Sequence, residues 1–183
     1  MESRTTPLYR LFFAVKPPAL VTRQIDHFAR TLAPDAQHVA AAHQHVTLGI
    51  TTDAIDYPYE VIKTLRRAAG GIRAEPFDLL LDRLSIGGRS AALRPSRRNT
   101  GLALLQAEVE RVMQRAGATA RPGWRFEPHQ TLFYRDTRPT QQRIAGFGWR
   151  VEELVLLCSH VGHTRHEPLG AWPLTGGEQY QLL

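Results

Sequence analysis

The sequence predicts an α+β protein with antiparallel sheets flanked by helices, built as two related halves that bring two histidines to one cleft. Three observations carry this expectation. The tetrapeptide His45-Val46-Thr47-Leu48 returns later in the chain as His129-Gln130-Thr131-Leu132. Between them, Phe77 to Ile86, Gly87-Gly88 and Ser90 to Arg94 read as strand, turn and strand, a hairpin. The chain then closes on a run of strand-like segments. Strands separated by helices would also suit a parallel doubly wound sheet, but a hairpin and successive closing strands favour antiparallel pairing.

Taken in order, residues 1–6 are polar and expected to fray. Leu8 to Val15 (LYRLFFAV) is rich in aromatic and aliphatic residues and reads as a buried strand. Lys16-Pro17-Pro18 ends it and opens a helix over about Ala19 to Leu32, because proline in the first helical position forfeits no bond. Leu20, Ile25, Phe28, Ala29 and Leu32 give that helix an apolar stripe, and Ala33-Pro34-Asp35 closes it. His38 to Gln44 is an alanine-rich approach to the first motif strand, which runs to about Thr51. Tyr59 to Ala69 reads as an amphipathic helix on Val61, Ile62 and Leu65, stopped by Gly70-Gly71. After the hairpin and the basic loop Pro95 to Asn99, either Asn99 or Thr100 caps a helix over about Gly101 to Ala116. Arg121 to Pro128 feeds the second motif strand, which continues to Arg135. Pro139 to Phe147 is expected as a short helix or loop, Trp149 to Cys158 as one strong strand, and Glu167 to Leu174 as a weaker closing strand. With no linker or low-complexity segment, residues 1–183 are expected to form a single bilobal domain.

Hydrophobic residues make up 43% and charged residues 22%, a globular composition that argues against disorder. The net charge is +6, and Lys16 and Lys63 are the only lysines, so arginine carries nearly all the positive charge. Arginine is the better fork for phosphate, which suits a polyanionic substrate, although a genome bias towards arginine gives the same composition. Cys158 stands alone, which excludes an internal disulfide and a thiolate metal cluster and suits a reducing cytoplasm. The apolar run Leu11 to Val15 is too short for a signal peptide and no stretch reaches the ~20 apolar residues of a membrane helix. The expectation is therefore a cytoplasmic protein with no membrane contact, no obligate protein partner and a monomeric state.

In a strand, side chains at i and i+2 share a face. His45 and Thr47 therefore project together, as do His129 and Thr131. Two imidazoles facing one point suit concerted acid–base work, one taking a proton while the other gives one, each step typically contributing ~10²–10⁴ in rate. Threonine hydroxyls between them can donate to an anion, and a phosphodiester fits such a site.

These residues resemble the 2H phosphoesterase superfamily, whose signature is two His-x-Thr/Ser-x motifs. Within it the chain most resembles the RNA 2′,3′-cyclic phosphodiesterases, also called the 2′–5′ RNA ligase family. The likeness spans the opening strand Arg10 to Val15 with Pro17-Pro18, both motifs, Val155 to Ser159 and Trp172-Pro173-Leu174. It implies two pseudo-symmetric lobes around a cleft, no metal or other cofactor, and hydrolysis of a 2′,3′-cyclic phosphate on RNA or a nucleotide to a 2′-phosphate. By that likeness His129 is the base that activates water, His45 protonates the departing 3′-oxygen, and Thr47 and Thr131 hold the phosphate. The same groups run backwards would join a 2′–5′ linkage. Rival readings are a 2H phosphodiesterase for a small nucleotide (2′,5′-oligoadenylate or ADP-ribose cyclic phosphate) and a non-catalytic RNA-binding module. Intact histidines and threonines in both motifs argue against the latter.

Two positions depart from the family pattern. Where it often has an arginine five residues after the second histidine, this chain has Tyr134, with Arg135 next. Strand parity assigns Arg135 to the face of His129 and makes it the phosphate contact, with Tyr134 stacking on a base or packing. Gly49-Ile50 stands where a basic and an aromatic residue are common. His43 shares the parity of His45 and is either a cleft contact or an exposed strand end. His160, His163 and His166 read as solvent-facing loop histidines in preference to metal ligands. Arg97 and Arg98 suit an RNA-backbone patch or a solvated loop equally, and core packing is the plainer role for Trp124, Phe126 and Cys158.

Overall fold

Two antiparallel sheets share one hydrophobic core with three helices in the computed structural model, which describes residues 8–176. The expectation for residues 1–6 lies outside the described residues. The elements are β1 (Leu8–Val15), α1 (Ala19–Leu32), β2 (Gln37–His38), a 3₁₀ turn (Ala41–His43), β3 (Val46–Ile50), α2 (Tyr59–Ala69), β4 (Phe77–Ile86), β5 (Ser90–Arg94), α3 (Thr100–Arg115), β6 (Gln130–Tyr134), β7 (Thr140–Val151), β8 (Glu153–Val161) and β9 (Arg165–Pro173). The first sheet has the order β3-β1-β8-β9 and the second β2-β6-β5-β4-β7. Every strand pair in both is antiparallel. The α+β expectation therefore holds. No helix among the described residues is long and apolar enough to cross a membrane.

The helices follow their sequence signals with small corrections. Helix α1 starts at Pro18, whose carbonyl accepts from Thr22 N–H at 2.9 Å. Its buried stripe is Val21, Ile25 and Ala29, one residue per turn, while Leu20 and Leu32 face solvent. Asn99, not Thr100, caps α3: its side-chain oxygen accepts from Leu102 N–H at 2.9 Å. Helix α1 packs on β6 and β7, α2 on β9, and α3 reaches both β3 and β4, so the helices cover the sheets' core faces.

Two strand expectations fail for reasons of pairing. Thr140 to Phe147 is not helix or loop but the first part of β7, pairing with β4 from Ile86↔Thr140 back to Arg83↔Arg143. Thr140 to Arg143 are all exposed, so no alternation of apolar residues marked that strand. Trp149 to Cys158 is not one strand either. Trp149 and Val151 end β7 in the second sheet, and the chain crosses at Glu152 to begin β8 in the first. The residues that face the main core are odd-numbered before Glu152 (Trp149, Val151) and even-numbered after it (Leu154, Leu156, Cys158), with Leu157 buried on the opposite face, so the phase change was written in the sequence at Glu152-Glu153.

Each motif strand carries a β-bulge at the same place. In β3, Thr47 pairs with Ala14 and Gly49 with Phe13, leaving Leu48 as the extra residue. In β6, Thr131 pairs with Ala92 and Phe133 with Ala91, leaving Leu132 extra. A bulge reverses side-chain alternation beyond it. Leu48 and Gly49, like Leu132 and Phe133, are consecutive buried positions, and only the residues after them, Ile50 and Tyr134, turn outward again. Gly49 has a steric reason as well. A Cβ there would lie 2.7 Å from Val109 Cγ1 and 2.8 Å from Met113 Sδ, so glycine lets α3 seat directly on β3.

Candidate active site

His45 immediately precedes β3 and His129 immediately precedes β6, so each stands where its strand enters its sheet. Both rings are anchored in the same way. His45 Nδ1 lies 2.6 Å from the carbonyl oxygen of His43, and His129 Nδ1 lies 2.7 Å from that of Glu127. A carbonyl only accepts, so Nδ1–H donates in both rings and Nε2 is left for chemistry. The two histidines, with Thr47 and Thr131, line one cleft of about 430 Å³ with walls from both sheets. Thr47 and Thr131 are half-buried there, on the faces that parity assigns them.

A buried polar bridge ties the motifs beneath this cleft. Gln130 Nε2–H donates to Gln44 Oε1 at 3.1 Å, joining the residue after His129 to the residue before His45. Both glutamines are almost fully buried, and Gln130 Oε1 has no protein partner. An amide–amide hydrogen bond of this kind in a low-dielectric interior fixes the spacing of the segments it joins.

The surroundings of the two histidines differ. The ring of Phe12 lies 4.9 Å from that of His45, and the ring of His166 lies 5.5 Å away. Burial lowers the His45 pKa to about 4, against a raising effect from the bond to His43 O, with Lys16, His129 and His43 adding unfavourable charge. His166 is likewise lowered to about 4 by burial and by its neighbours His45, His43 and Lys16.

Several expectations change here. His43 ends the 3₁₀ turn, half-buried, and lines the cleft, its ring 4.4 Å from that of His166. His166, expected in a solvent-facing loop, sits on β9 opposite Ser159 and lines the cleft beside His45. Only strand register brings it there, and no local spacing signals it. His160 is also not solvent-facing: its Nε2 lies 3.0 Å from Glu167 Oε2, and Glu167 accepts from Tyr57 O–H at 2.8 Å. Cys158, His160 and Glu167 hold donor atoms within 4.8 Å of one another. The thiol, however, is pushed up to about 11 by burial and by Glu167, and the other two are already bonded together. The set reads as a hydrogen-bonded wall. Of the three histidines, His163 is the one in an exposed turn.

Arg135 is corrected too. The bulge at Leu132 reverses the alternation, so Tyr134 lines the cleft while Arg135 is exposed beyond the end of β6. The arginine that does line it is Arg10, missed from the sequence, held by Asp53 through bonds of 2.6 and 2.8 Å. Arg97 and Arg98 lie on a different surface, beside Asp78, Asp82 and Leu80.

Comparison with known proteins adds to this geometry. Residues 17–162 match the 2′-5′ RNA ligase superfamily. The chain is 33% identical over 173 residues to the RNA 2′,3′-cyclic phosphodiesterase of Escherichia coli (strain K12), covering 91% of this chain and 97% of that protein. The crystal structure of E. coli LigT complexed with 3′-AMP superposes with a TM-score of 0.75 at 28% identity, covering 93% of this chain and 99% of that one. A Thermus thermophilus protein shares the fold, with a TM-score of 0.74 at 21% identity over 91% of this chain and 98% of its own.

Proposed function

The chain belongs to the 2′-5′ RNA ligase superfamily, and from that membership we propose that it hydrolyses a ribose 2′,3′-cyclic phosphate, on RNA or a nucleotide, to a 2′-phosphate. The observation that carries this reading is the matched pair: two imidazoles in one cleft, each with Nδ1–H tied to the carbonyl two residues upstream, each followed by a threonine on the same face. The relative of known activity, named above for that reaction, supports it.

In the proposed reaction water attacks phosphorus in line with the 3′-oxygen. His129 Nε2 takes the proton from that water as the new P–O bond forms. The P–O3′ bond breaks and His45 Nε2–H protonates the leaving 3′-oxygen, so the product keeps its phosphate on the 2′-oxygen. Thr47 and Thr131 donate hydroxyl hydrogen bonds to the non-bridging oxygens, strengthening as charge develops. No metal enters the scheme. With a 5′-OH in place of water, the same in-line displacement of the 3′-oxygen forms a 2′–5′ linkage, the reverse of cleaving that linkage. One chain supplies both motifs, so the two lobes act as one domain and a monomer suffices.

The test is product identification. Incubated with 2′,3′-cyclic nucleotides or cyclic-phosphate-ended RNA in EDTA, the protein is expected to yield the 2′-phosphate product, and H45A and H129A are each expected to slow its formation by about 10²–10⁴-fold. A 3′-phosphate product, inhibition by EDTA, or either variant as active as the parent would contradict the mechanism. RNA binding without turnover of any diester would favour a binding module.

The burial of His45 favours a second assignment, with the two roles exchanged. An imidazole whose pKa is lowered to about 4 is neutral at pH 7 and starts as a base. The entering phosphate anion pulls the other way, raising its proton affinity. A pH–rate profile does not separate kinetically equivalent assignments, but a 3′-thio cyclic substrate does, because a thiolate leaves without a proton. With His45 as acid, H45A recovers activity on that substrate and H129A does not; the exchanged roles give the opposite result.

A further inference from the structure

The rim of the cleft beyond Thr131 carries an exposed aromatic ring and unpaired charge that the reaction above does not use. Tyr134 lies three residues along β6 from Thr131, about 10 Å at ~3.3 Å per residue. It is 51% exposed while lining the cleft. Beside it, two backbone bonds draw the loop after β6 onto the turn of the β4–β5 hairpin: Arg135 N–H donates to Arg89 O at 3.1 Å, and Thr137 N–H to Gly88 O at 3.2 Å. Ser90 pairs with Tyr134 in the sheet, so Arg89 and Arg135 are the next residues out on adjacent strands. Arg138 follows three positions later in the same loop. All three arginines are exposed.

Several surface arginines pair with a carboxylate, and these three are among those that do not. Arg10 pairs with Asp53, Arg94 with Glu127, Arg143 with Asp82 and Arg150 with Asp78. Among the described residues, Arg89, Arg135 and Arg138 form no ion pair, and Asp136 is the one carboxylate in their segment. A charge cluster left open next to an exposed ring at the mouth of a phosphate-sized cleft has the chemistry of a single-stranded nucleic-acid track: guanidinium groups on phosphates and a ring on which a base stacks.

On the reading that the cleft holds a terminal cyclic phosphate, we propose that Tyr134 with Arg89, Arg135 and Arg138 forms the surface that receives the 5′-flanking nucleotides of single-stranded RNA. Tyr134 stacks a base, and the three guanidinium groups take the phosphates beyond it. The fold thereby supplies a longer reach than a mononucleotide needs. The bulge at Leu132 is what makes this arrangement, since it turns Tyr134 to the cleft and leaves Arg135 beside Arg89 instead of at the reacting phosphate.

The test is fluorescence anisotropy with a 5′-labelled single-stranded octaribonucleotide ending in a 3′-phosphate, titrated at several salt concentrations. The triple variant R89Q/R135Q/R138Q is expected to bind at least about tenfold more weakly, with the slope of log affinity against log salt flattened by about 0.7 for each phosphate no longer neutralised. Y134A is expected to weaken binding about tenfold with little change in that slope. The double variant R97Q/R98Q, which removes charge elsewhere, is expected to bind as the parent does, and melting temperatures check that every variant is folded. Parent-like affinity and salt slope in the folded triple variant would overturn the proposal, as would an equal loss in R97Q/R98Q. Hydrolysis of a cyclic mononucleotide by the unmodified protein reports separately on the reading of the cleft. If it is absent while the rim still governs RNA binding, the enzyme reading falls and the RNA surface stands.

Discussion

His45 and His129 enter their strands through the same backbone device, yet the two lobes house them differently. Each ring donates Nδ1–H to the carbonyl two residues back, each is followed by a threonine at i+2, and each strand bulges at the leucine after that. His45 lies under Phe12, beside His43 and His166 and within the field of Lys16. The corresponding bond of the His129 ring to Glu127 O is exposed. The tetrapeptide thus sets tautomer and aim in both lobes, while at His45 the packing around the ring also lowers its proton affinity. Sequence repetition reports the first. The second is a property of packing.

The comparison breaks most visibly at the histidines themselves. Loss of either imbalances the pair, and H45A and H129A are each expected to lower kcat by about 10²–10⁴-fold on a cyclic nucleotide, the range of one acid–base step. A next test uses the equivalent positions 49 and 133, which follow the two bulges. Gly49 is glycine because Val109 and Met113 occupy the space a side chain would need, whereas Phe133 fills its site. Phe133→Ala is expected to cost about 3–5 kcal/mol by leaving a cavity. Gly49→Val, overpacking the same position of the other strand, is expected to cost about 1–3 kcal/mol. Denaturant unfolding measures both, and equal insensitivity at the two positions would remove the steric account of the asymmetry.

Much of this was legible in the sequence, and the failures share a cause. The two motif strands, the Gly87-Gly88 hairpin, the Pro17-Pro18 start of α1 and a cap for α3 at Asn99 or Thr100 are each written in a few adjacent residues. What local patterns do not carry is which strand lies beside which. The bulges at Leu48 and Leu132 exist only in the register of β3 on β1 and of β6 on β5, so parity carried past them misassigned Arg135. His166 reaches His45 only because β9 pairs with β8 and β8 with β1. The exposed start of β7 had no pattern at all, its strand character supplied by β4. The site was thus readable where a motif repeats and hidden where the sheets assemble it.

Smaller effects bear on the proton affinity of His45. The ordinary value of a histidine is 6.5, and His45 stands near 4 because burial disfavours its charged form. Between these values the unfolded chain binds a proton that the folded His45 refuses. The stability this contributes is therefore present above about pH 6.5 and declines as pH falls towards 4. Thermal unfolding followed across that window is expected to show a falling melting temperature, with a shallower fall in H45N. His166→Ala opens the wall of the His45 pocket and removes a neighbouring imidazole. NMR titration of the ring signals is expected to place the His45 pKa higher in that variant. An unchanged or lower value would mean that His166 does not help enclose His45.

The central claim is that the two motifs form one acid–base device, and its most direct measurement is a kinetic double-mutant cycle on a 2′,3′-cyclic nucleotide. Groups that act as a unit lose nearly everything at the first deletion. If the histidines act as one device, H45A/H129A is hardly slower than the slower single variant. Losses that multiply, with the double variant slower by the product of the two single effects, would show two independent histidines and contradict it.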